Sequence, residues 1–192
     1  MSPAYRKTWH VAATGFSLVL LWGCVPDSTA TPLPIDLLRE LPRSERSPNP
    51  DPNQLVRVDF VRFQGEPRPA LLMRTSSRVI WSVQMLEEAE LRADLALLPD
   101  SPPGADVTVR VGVSDDRLYD DLLLLTLPSP RDGQPDWAPL TVDLSAYSGR
   151  KWSVFHQPSR RIWRVVLNVG GSDGGRAAFV LPRIEARSAP RD

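Results

Sequence analysis

The sequence predicts an all-β domain, an antiparallel sandwich of two sheets, that follows an export signal and a proline-rich linker. Three observations predict this fold. Apolar residues recur at every second position in several stretches after Gln54, as in strands with one buried face. Glycine, proline, aspartate and serine separate these stretches and favour turns. No long stretch has the 3.6-residue period of a strong helix, so we expect roughly eight to ten short strands.

The first 23 residues have the composition of a secretory signal. Arg6 and Lys7 precede an apolar run over residues 11–22, and the small Gly23 precedes Cys24. The run is shorter than the about 20 residues that a membrane-spanning helix needs. Cys24 is the only cysteine, so the exported chain has no internal disulfide. The alternative is an ordinary signal peptide, or an uncleaved anchor, in which this cysteine has no special role.

A proline-rich tether is predicted for residues 24–53. Seven prolines between residues 25 and 53 favour extended, semi-rigid backbone over packing. Within this segment, residues 35–41 place leucines at helical spacing, and Pro42 then ends the pattern. We expect a short helical element that docks on the domain, with a bare tether as the alternative.

The β-sandwich is assigned to residues 54–187 and is followed by a flexible tail over residues 188–192. Residues 87–98 have helix-forming composition, but their leucines alternate with polar neighbours, so we predict a strand there. A further strand is expected over residues 122–127. The other predicted strands cover residues 56–63, 78–85, 106–113, 140–144, 151–155, 162–169 and 177–184.

The same alternation predicts which side chains fill the core. Trp163, Val165 and Leu167 share one face of their strand, because alternate residues of a strand point the same way. Arg110 and Arg164 are expected to point outward, since burying an unpaired guanidinium is prohibitive. The predicted core comprises Trp81, Val109, Val111, Leu144, Trp152, Trp163, Val165 and Leu167.

The exported chain is close to neutral. The signal holds two of the 23 basic residues and none of the 23 acidic residues, which leaves a net charge of −2. Binding to nucleic acid needs clustered positive charge, so no nucleic-acid partner is expected.

Little in the sequence indicates catalysis. His156 is the only histidine of the exported chain, and no Gly-x-Ser-x-Gly motif accompanies it. One histidine without a free cysteine leaves too few nitrogen or sulfur ligands for zinc. We therefore expect a protein that is not an enzyme and has no cofactor.

Four aspartates are the candidate metal ligands. Their carboxylates offer the oxygen atoms that calcium prefers, but they lack the spacing of an EF-hand loop. A solvated turn between two strands is the favoured interpretation, calcium binding comes second and acid–base catalysis third. The four residues are Asp115, Asp116, Asp120 and Asp121.

Trp137 is the better candidate for a ligand contact among the tryptophans. It follows Pro135 and Asp136 in a predicted loop, and exposed aromatic rings stack on sugars. Residues 170–175 are glycine-rich but are predicted to form a hairpin turn, because no phosphate-loop lysine follows them. Arg160, Arg161 and Arg164 could face anionic headgroups or an acidic polymer, although a solvated strand face is favoured.

Leu21-Trp22-Gly23-Cys24 resembles the lipobox of bacterial lipoproteins, which has an aliphatic residue three positions before the cysteine and a small residue directly before it. The resemblance implies cleavage after Gly23 and a diacylglycerol on the sulfur of Cys24, a nucleophile suited to thioether formation. Acyl chains on one cysteine would anchor the protein to a membrane. Val25 replaces the aspartate that commonly retains lipoproteins in the inner membrane, which implies the outer membrane.

Residues 77–83, 141–149 and 179–184 together resemble jelly-roll domains of the galactose-binding-like and carbohydrate-binding-module type. The resemblance covers most of the sandwich and implies a binding or accessory module rather than an enzyme. At its turn, the side chain of Asp143 is expected to accept backbone N–H groups, and Tyr147 to lie over the edge of the sandwich as a second candidate ligand contact. The sugar-binding residues of that family lie on variable loops, so none is transferred to this chain.

Two functions follow from these patterns. The first is an envelope lipoprotein, anchored to a membrane through Cys24, that carries a non-catalytic binding sandwich with carbohydrate as its candidate ligand. The alternative is a structural or assembly lipoprotein that binds another envelope protein. An enzyme is the least supported function.

Overall fold

The computed structural model describes residues 32–48, 51–115, 117–130, 133–147 and 162–187. They form two packed antiparallel sheets, which confirms the predicted sandwich. The first sheet has the order β3-β4-β11-β6-β9, with β1 also paired to β11, and the second has the order β2-β5-β10-β7-β8. The strands are β1 (Ile35–Asp36), β2 (Glu45–Ser47), β3 (Val56–Phe63), β4 (Glu66–Arg74), β5 (Ser77–Gln84), β6 (Ala89–Leu97), β7 (Val107–Ser114), β8 (Tyr119–Thr126), β9 (Ala138–Asp143), β10 (Ile162–Gly171) and β11 (Arg176–Ala186).

The core lies between the sheets and is filled by alternate residues of their strands. In β5, Val79, Trp81 and Val83 are buried, while the residues between them face away from the core. β7 contributes a valine at every second position from Val107 to Val113. The first sheet contributes Leu71, Met73, Leu91, Leu95, Phe179 and Ile184.

The segment before residue 54 takes part in both sheets. β1 pairs with β11 through Ile35 and Ile184, and β2 pairs with β5. Between them lies a four-residue helix, α1 (Leu37–Glu40), at the position where the sequence favours a short helical element. Leu37 is buried, and its carbonyl accepts a hydrogen bond of 3.1 Å from the indole N–H of Trp81. The folded unit therefore extends further toward the N-terminus than composition alone suggests.

Strands with clear alternation lie where the sequence predicts them, to within a few residues, in the described part of the chain. The strand predicted over residues 87–98 is β6, and the strand predicted over 122–127 is β8, which begins earlier. The sequence missed β1, β2 and β4. Pro67 and Pro69 lie in the part of β4 that pairs with β3 but not with β11. A proline has no N–H to donate, and at these positions no hydrogen bond to β11 is lost.

Most of the predicted core residues are buried. Trp81, Val109, Val111, Leu144, Val165 and Leu167 are all less than 5 % exposed. Trp163 is only partly buried at the margin of the core, which corrects the prediction that it lies fully inside. The side chains of Arg110 and Arg164 are 48 % and 29 % exposed, so they do lie outside the core.

The hairpin turn predicted over residues 170–175 joins β10 to β11. Gly171 has a φ of +112°, and a Cβ there would lie 1.9 Å from the carbonyl oxygen of Asp106, so only glycine fits. No helix in the described ranges is both long enough and apolar enough to cross a bilayer. Several sequence predictions fall outside the described residues: the signal over 1–23, Cys24, Asp116, the strand over 151–155 with Trp152, His156, Arg160, Arg161 and the tail over 188–192.

Candidate ligand-binding groove

A groove of about 840 Å³ lies on the outer face of the second sheet. Its lining comes from all five strands of that sheet, β2, β5, β10, β7 and β8. Alternate residues of β5 and β7 fill the core, so the residues between them lie on this outer face. The groove is therefore formed mainly by residues that point away from the core.

Strand register brings the outward residues into rows across the sheet. Asn168 of β10 lies opposite Arg78 of β5 on one side and opposite Arg110 of β7 on the other. The adjacent row is apolar, with Val166 between Ile80 and Gly112. Side chains directly opposite each other have Cβ atoms about 4.5–5.5 Å apart, so each row forms a continuous surface.

Tyr119 forms one wall of the groove, above the backbone of Gly112. A Cβ at Gly112 would lie 2.4 Å from the hydroxyl oxygen of Tyr119, so the missing side chain makes room for the ring. Burial, followed by the hydrogen bond and charge of Asp121, raises the pKa of Tyr119 above its ordinary value. The phenol therefore stays neutral at physiological pH and can both donate and accept hydrogen bonds.

Three arginines give the groove a positive character. Arg164 forms an ion pair with Glu45, and a nitrogen of Arg110 lies 3.6 Å from a carboxylate oxygen of Asp121. Arg78 is exposed and has no ion pair with any residue in the described ranges. The described carboxylates therefore neutralise the positive charge on this face only in part.

A cluster of ion pairs lies on the outer face of the first sheet. Glu90 is nearly buried and pairs with Arg92 and Arg187. Arg187 also binds Asp143 at 2.7 Å. Arg183 and Arg92 share Glu185, so three arginines meet three carboxylates.

The two predicted ligand contacts lie at the margins of the sandwich. Trp137 is partly buried and packs edge-to-face on Phe63, with ring centroids 5.2 Å apart. The hydroxyl of Tyr147 donates to Asp120 at 3.0 Å, and its ring packs edge-to-face on Trp163. Neither residue lines the groove, and no observation tests whether either binds a ligand.

The predicted metal ligands have separate partners. Asp115 accepts the backbone N–H groups of Arg117 and Leu118 and so stabilises the turn between β7 and β8. Asp120 accepts the hydroxyl of Tyr147, and Asp121 faces Arg110. No group of three or more possible ligands clusters within the described residues, a set that does not include Asp116, so calcium binding stays a prediction.

The sequence did not identify the groove. The residues that form its central row look like ordinary outward positions of three separate strands. What joins them is the strand order β5-β10-β7, which places Asn168 beside Arg78 and Arg110, residues far from it along the chain. Period-two alternation predicts that each residue faces outward, but it contains no information about which strands are neighbours.

Comparison with known proteins places the fold among carbohydrate-binding modules. The chain is similar to TmCBM61, solved in complex with β-1,4-galactotriose, at a TM-score of 0.51 and 9 % identity over 77 % of this chain and 91 % of that one. It is similar to the K1 cleaved adhesin domain of Lys-gingipain from Porphyromonas gingivalis W83 at a TM-score of 0.53 and 11 % identity, over 81 % and 98 % of the two chains. At these identities the likeness shows a shared fold and nothing about ligands.

A third solved structure is more distant. The carbohydrate-binding module from Clostridium perfringens GH95, in complex with methyl-galactose, has a TM-score of 0.44 and 13 % identity over 79 % of this chain and 99 % of that one. That score is too low to support an argument. No protein-family model matches the chain, and no curated protein matches it.

Proposed function

We propose that this protein is a lipid-anchored, non-catalytic carbohydrate-binding module that holds a sugar chain in the groove of the second sheet. The observation that carries the proposal is the groove itself, an open depression across five strands of a sandwich with the carbohydrate-binding-module fold. Its volume of about 840 Å³ lies within the range of roughly 300–1,000 Å³ usual for small-molecule sites.

The lining suits the mixed chemistry of sugars. A sugar ring presents hydroxyl groups around its rim and C–H groups on its faces. Asn168 and the serines along the groove can donate and accept hydrogen bonds from hydroxyls. Ile80 and the ring of Tyr119 offer apolar surface to the C–H faces. TmCBM61, which shares the fold, was solved with a galactose trisaccharide, and this supports the ligand class by analogy only.

Attachment to the membrane rests on the lipobox at Leu21-Trp22-Gly23-Cys24. Lipidation of Cys24 would hold the sandwich at the surface of a membrane, and Val25 favours the outer membrane in a cell that has two. Cell fractionation tests the location: we expect the protein in the outer-membrane fraction, and its confinement to the inner membrane would contradict the proposal.

Glycan binding is tested with the full chain in detergent on a glycan array. The bound sugar is then titrated into two variants, Asn168→Trp, which fills the centre of the groove, and Thr141→Trp, which adds the same ring to an outward position of the first sheet. We expect Asn168→Trp to abolish binding and Thr141→Trp to retain it. If no glycan binds, or if Asn168→Trp binds as well as the wild type, the proposed site is wrong.

A second function, docking to an envelope protein, is favoured by the edge strand β3. Among the described strands, one edge of β3 has no partner, and Phe60 and Val58 on the same face are 71 % and 45 % exposed. Unprotected apolar edge strands are sites for pairing with another chain. Pull-down from solubilised membranes with the wild type and with Phe60→Asp tests this function. We expect the wild type to recover a partner protein that the variant loses. Equal recovery of the partner by both proteins would show that β3 is not the docking site.

A further inference from the structure

We propose that the groove of the second sheet selects acidic sugar chains, those bearing carboxylate groups, through Arg78 and Arg110 on either side of Asn168. The inference rests on the proposed function, because it names the ligand class of the same groove. It begins from the strand register, which puts two guanidinium groups on one surface with an amide between them.

The two arginines are placed to bind one ligand together. Arg78 and Arg110 flank Asn168 on the two neighbouring strands, so their Cα atoms lie about 10 Å apart across the sheet. Both side chains are exposed on the outer face, and Asn168 is partly buried between them. The row continues to Ser47, which pairs with Arg78, and to Leu124, which pairs with Arg110. None of the five residues in this row is acidic.

The described residues do not balance the charge of the groove. Glu45 neutralises Arg164, and Asp121 lies beside Arg110, which leaves a net charge of about one positive unit at Arg78. On the outer face of the first sheet, Arg92, Arg183 and Arg187 are each paired with carboxylates. Arg78 therefore lines the groove without a carboxylate partner among the described residues.

A carboxylate is the anion that fits this arrangement. The planar fork of a guanidinium matches a carboxylate in a bidentate pair, and such charge-assisted hydrogen bonds are about twice as strong as neutral ones. Ile80 lies next to the arginine row, where it can contact the C–H face of the sugar ring that bears the acid. Nucleic acid is a poorer candidate, because the exported chain has a net charge of −2 and the positive patch is local.

Polygalacturonate and its fully methyl-esterified form are the test ligands, because they share one backbone and differ in charge. Both are titrated into the full chain in detergent at low and at high salt. The wild type is expected to bind the acid at least about tenfold more tightly than the ester, with the preference reduced at high salt. Equal affinity for the two polymers would overturn the inference.

Variants then assign the preference to residues. Arg78→Gln is expected to weaken binding of the acid about tenfold and to leave binding of the ester unchanged. The matched control is Arg62→Gln, which removes an exposed strand arginine that has no ion pair within the described residues and lies outside the groove. An Arg78→Gln protein that keeps the full preference for the acid would overturn the inference.

The remaining outcomes separate this inference from the proposed function. If neutral glycans bind in a manner abolished by Asn168→Trp while polygalacturonate does not bind, the acidic ligand is wrong and the glycan-binding groove stands. If no sugar of either kind binds, both fail. Preferential binding through Arg78 to a sulfated polymer, or to anionic lipid vesicles, rather than to polygalacturonate would overturn the carboxylate assignment.

Discussion

Trp81 connects the second sheet to the N-terminal segment through a single side chain. Its side chain is 2 % exposed, it lies on β5 in the second sheet, and its indole N–H reaches the carbonyl of Leu37 in the N-terminal segment. Trp163 lies on β10, two residues before Val165, which pairs with Trp81. It is only partly buried and packs against Tyr147. The two tryptophans look alike in sequence, but their surroundings differ.

Truncation of these two residues should therefore have unequal effects on stability. We expect Trp81→Ala to lower the free energy of unfolding by about 3–5 kcal/mol, because it leaves a cavity and an unpaired carbonyl. Trp163→Ala should cost about 1–2 kcal/mol, because its ring is already partly in water. Denaturant unfolding of both variants measures the difference. A larger loss for Trp163→Ala would show that the margin of the core, rather than its centre, stabilises the sandwich.

At the scale of single elements, the turn after β9 is fixed by Asp143. A hydrogen bond from the Ser145 hydroxyl, with further bonds from the Ser145 backbone N–H and the Arg187 guanidinium, holds the pKa of Asp143 well below its ordinary range. The backbone bond, 2.8 Å long, confirms the turn contact expected from the sequence. Because the charged carboxylate accepts all of these bonds, protonation weakens the turn.

The stability contributed by Asp143 should depend on pH in one direction. Its folded-state pKa is lower than its unfolded value of about 3.9, so its contribution is fully present above that value and is lost as pH falls through the folded-state pKa. We expect Asp143→Asn to be less stable than the wild type at neutral pH and the gap to narrow in acid. Unfolding curves over a pH series measure the gap. A constant gap would show that Asp143 acts through its shape rather than its charge.

The short helix α1 should contribute to the stability of the whole domain. Leu37 is 1 % exposed, whereas Leu33, four residues earlier, is 85 % exposed. We expect Leu37→Ala to lower the free energy of unfolding by about 2–5 kcal/mol and Leu33→Ala to have little effect. Denaturant unfolding of the two variants compares them directly. Equal, small effects would show that the segment before β3 is a tether and not part of the core.

At the scale of the whole molecule, the anchor and the sandwich should be separable. Cys24→Ser is expected to move the protein from the detergent phase to the aqueous phase in a phase-partition assay. The unfolding midpoint of the domain should not change, because the chain has no second cysteine and so no disulfide to lose. Ser28→Ala is the control and should stay in the detergent phase. If Cys24→Ser is cleaved at the same bond and still partitions into detergent, the lipobox assignment is wrong.

The sequence by itself determined the class of fold and most of the strands. The valines of β7 and the alternating leucines of β6 predict buried faces, because a pleated strand must turn every second side chain toward the core. Alternation also predicted that Arg110 and Arg164 lie outside the core, since a buried guanidinium without a partner is too costly. These are local consequences of backbone geometry and desolvation, and each can be derived from a window of a few residues.

Only the tertiary structure decided where the groove is and which residues share it. Arg78, Asn168 and Arg110 meet because β10 lies between β5 and β7, an order set by packing of the entire sandwich. The same holds for β1 and β2, which are too short to show a period and are strands only because β11 and β5 offer them free edges. Strand order is a long-range property, because it depends on which apolar faces fit together, and no single stretch of sequence contains that information.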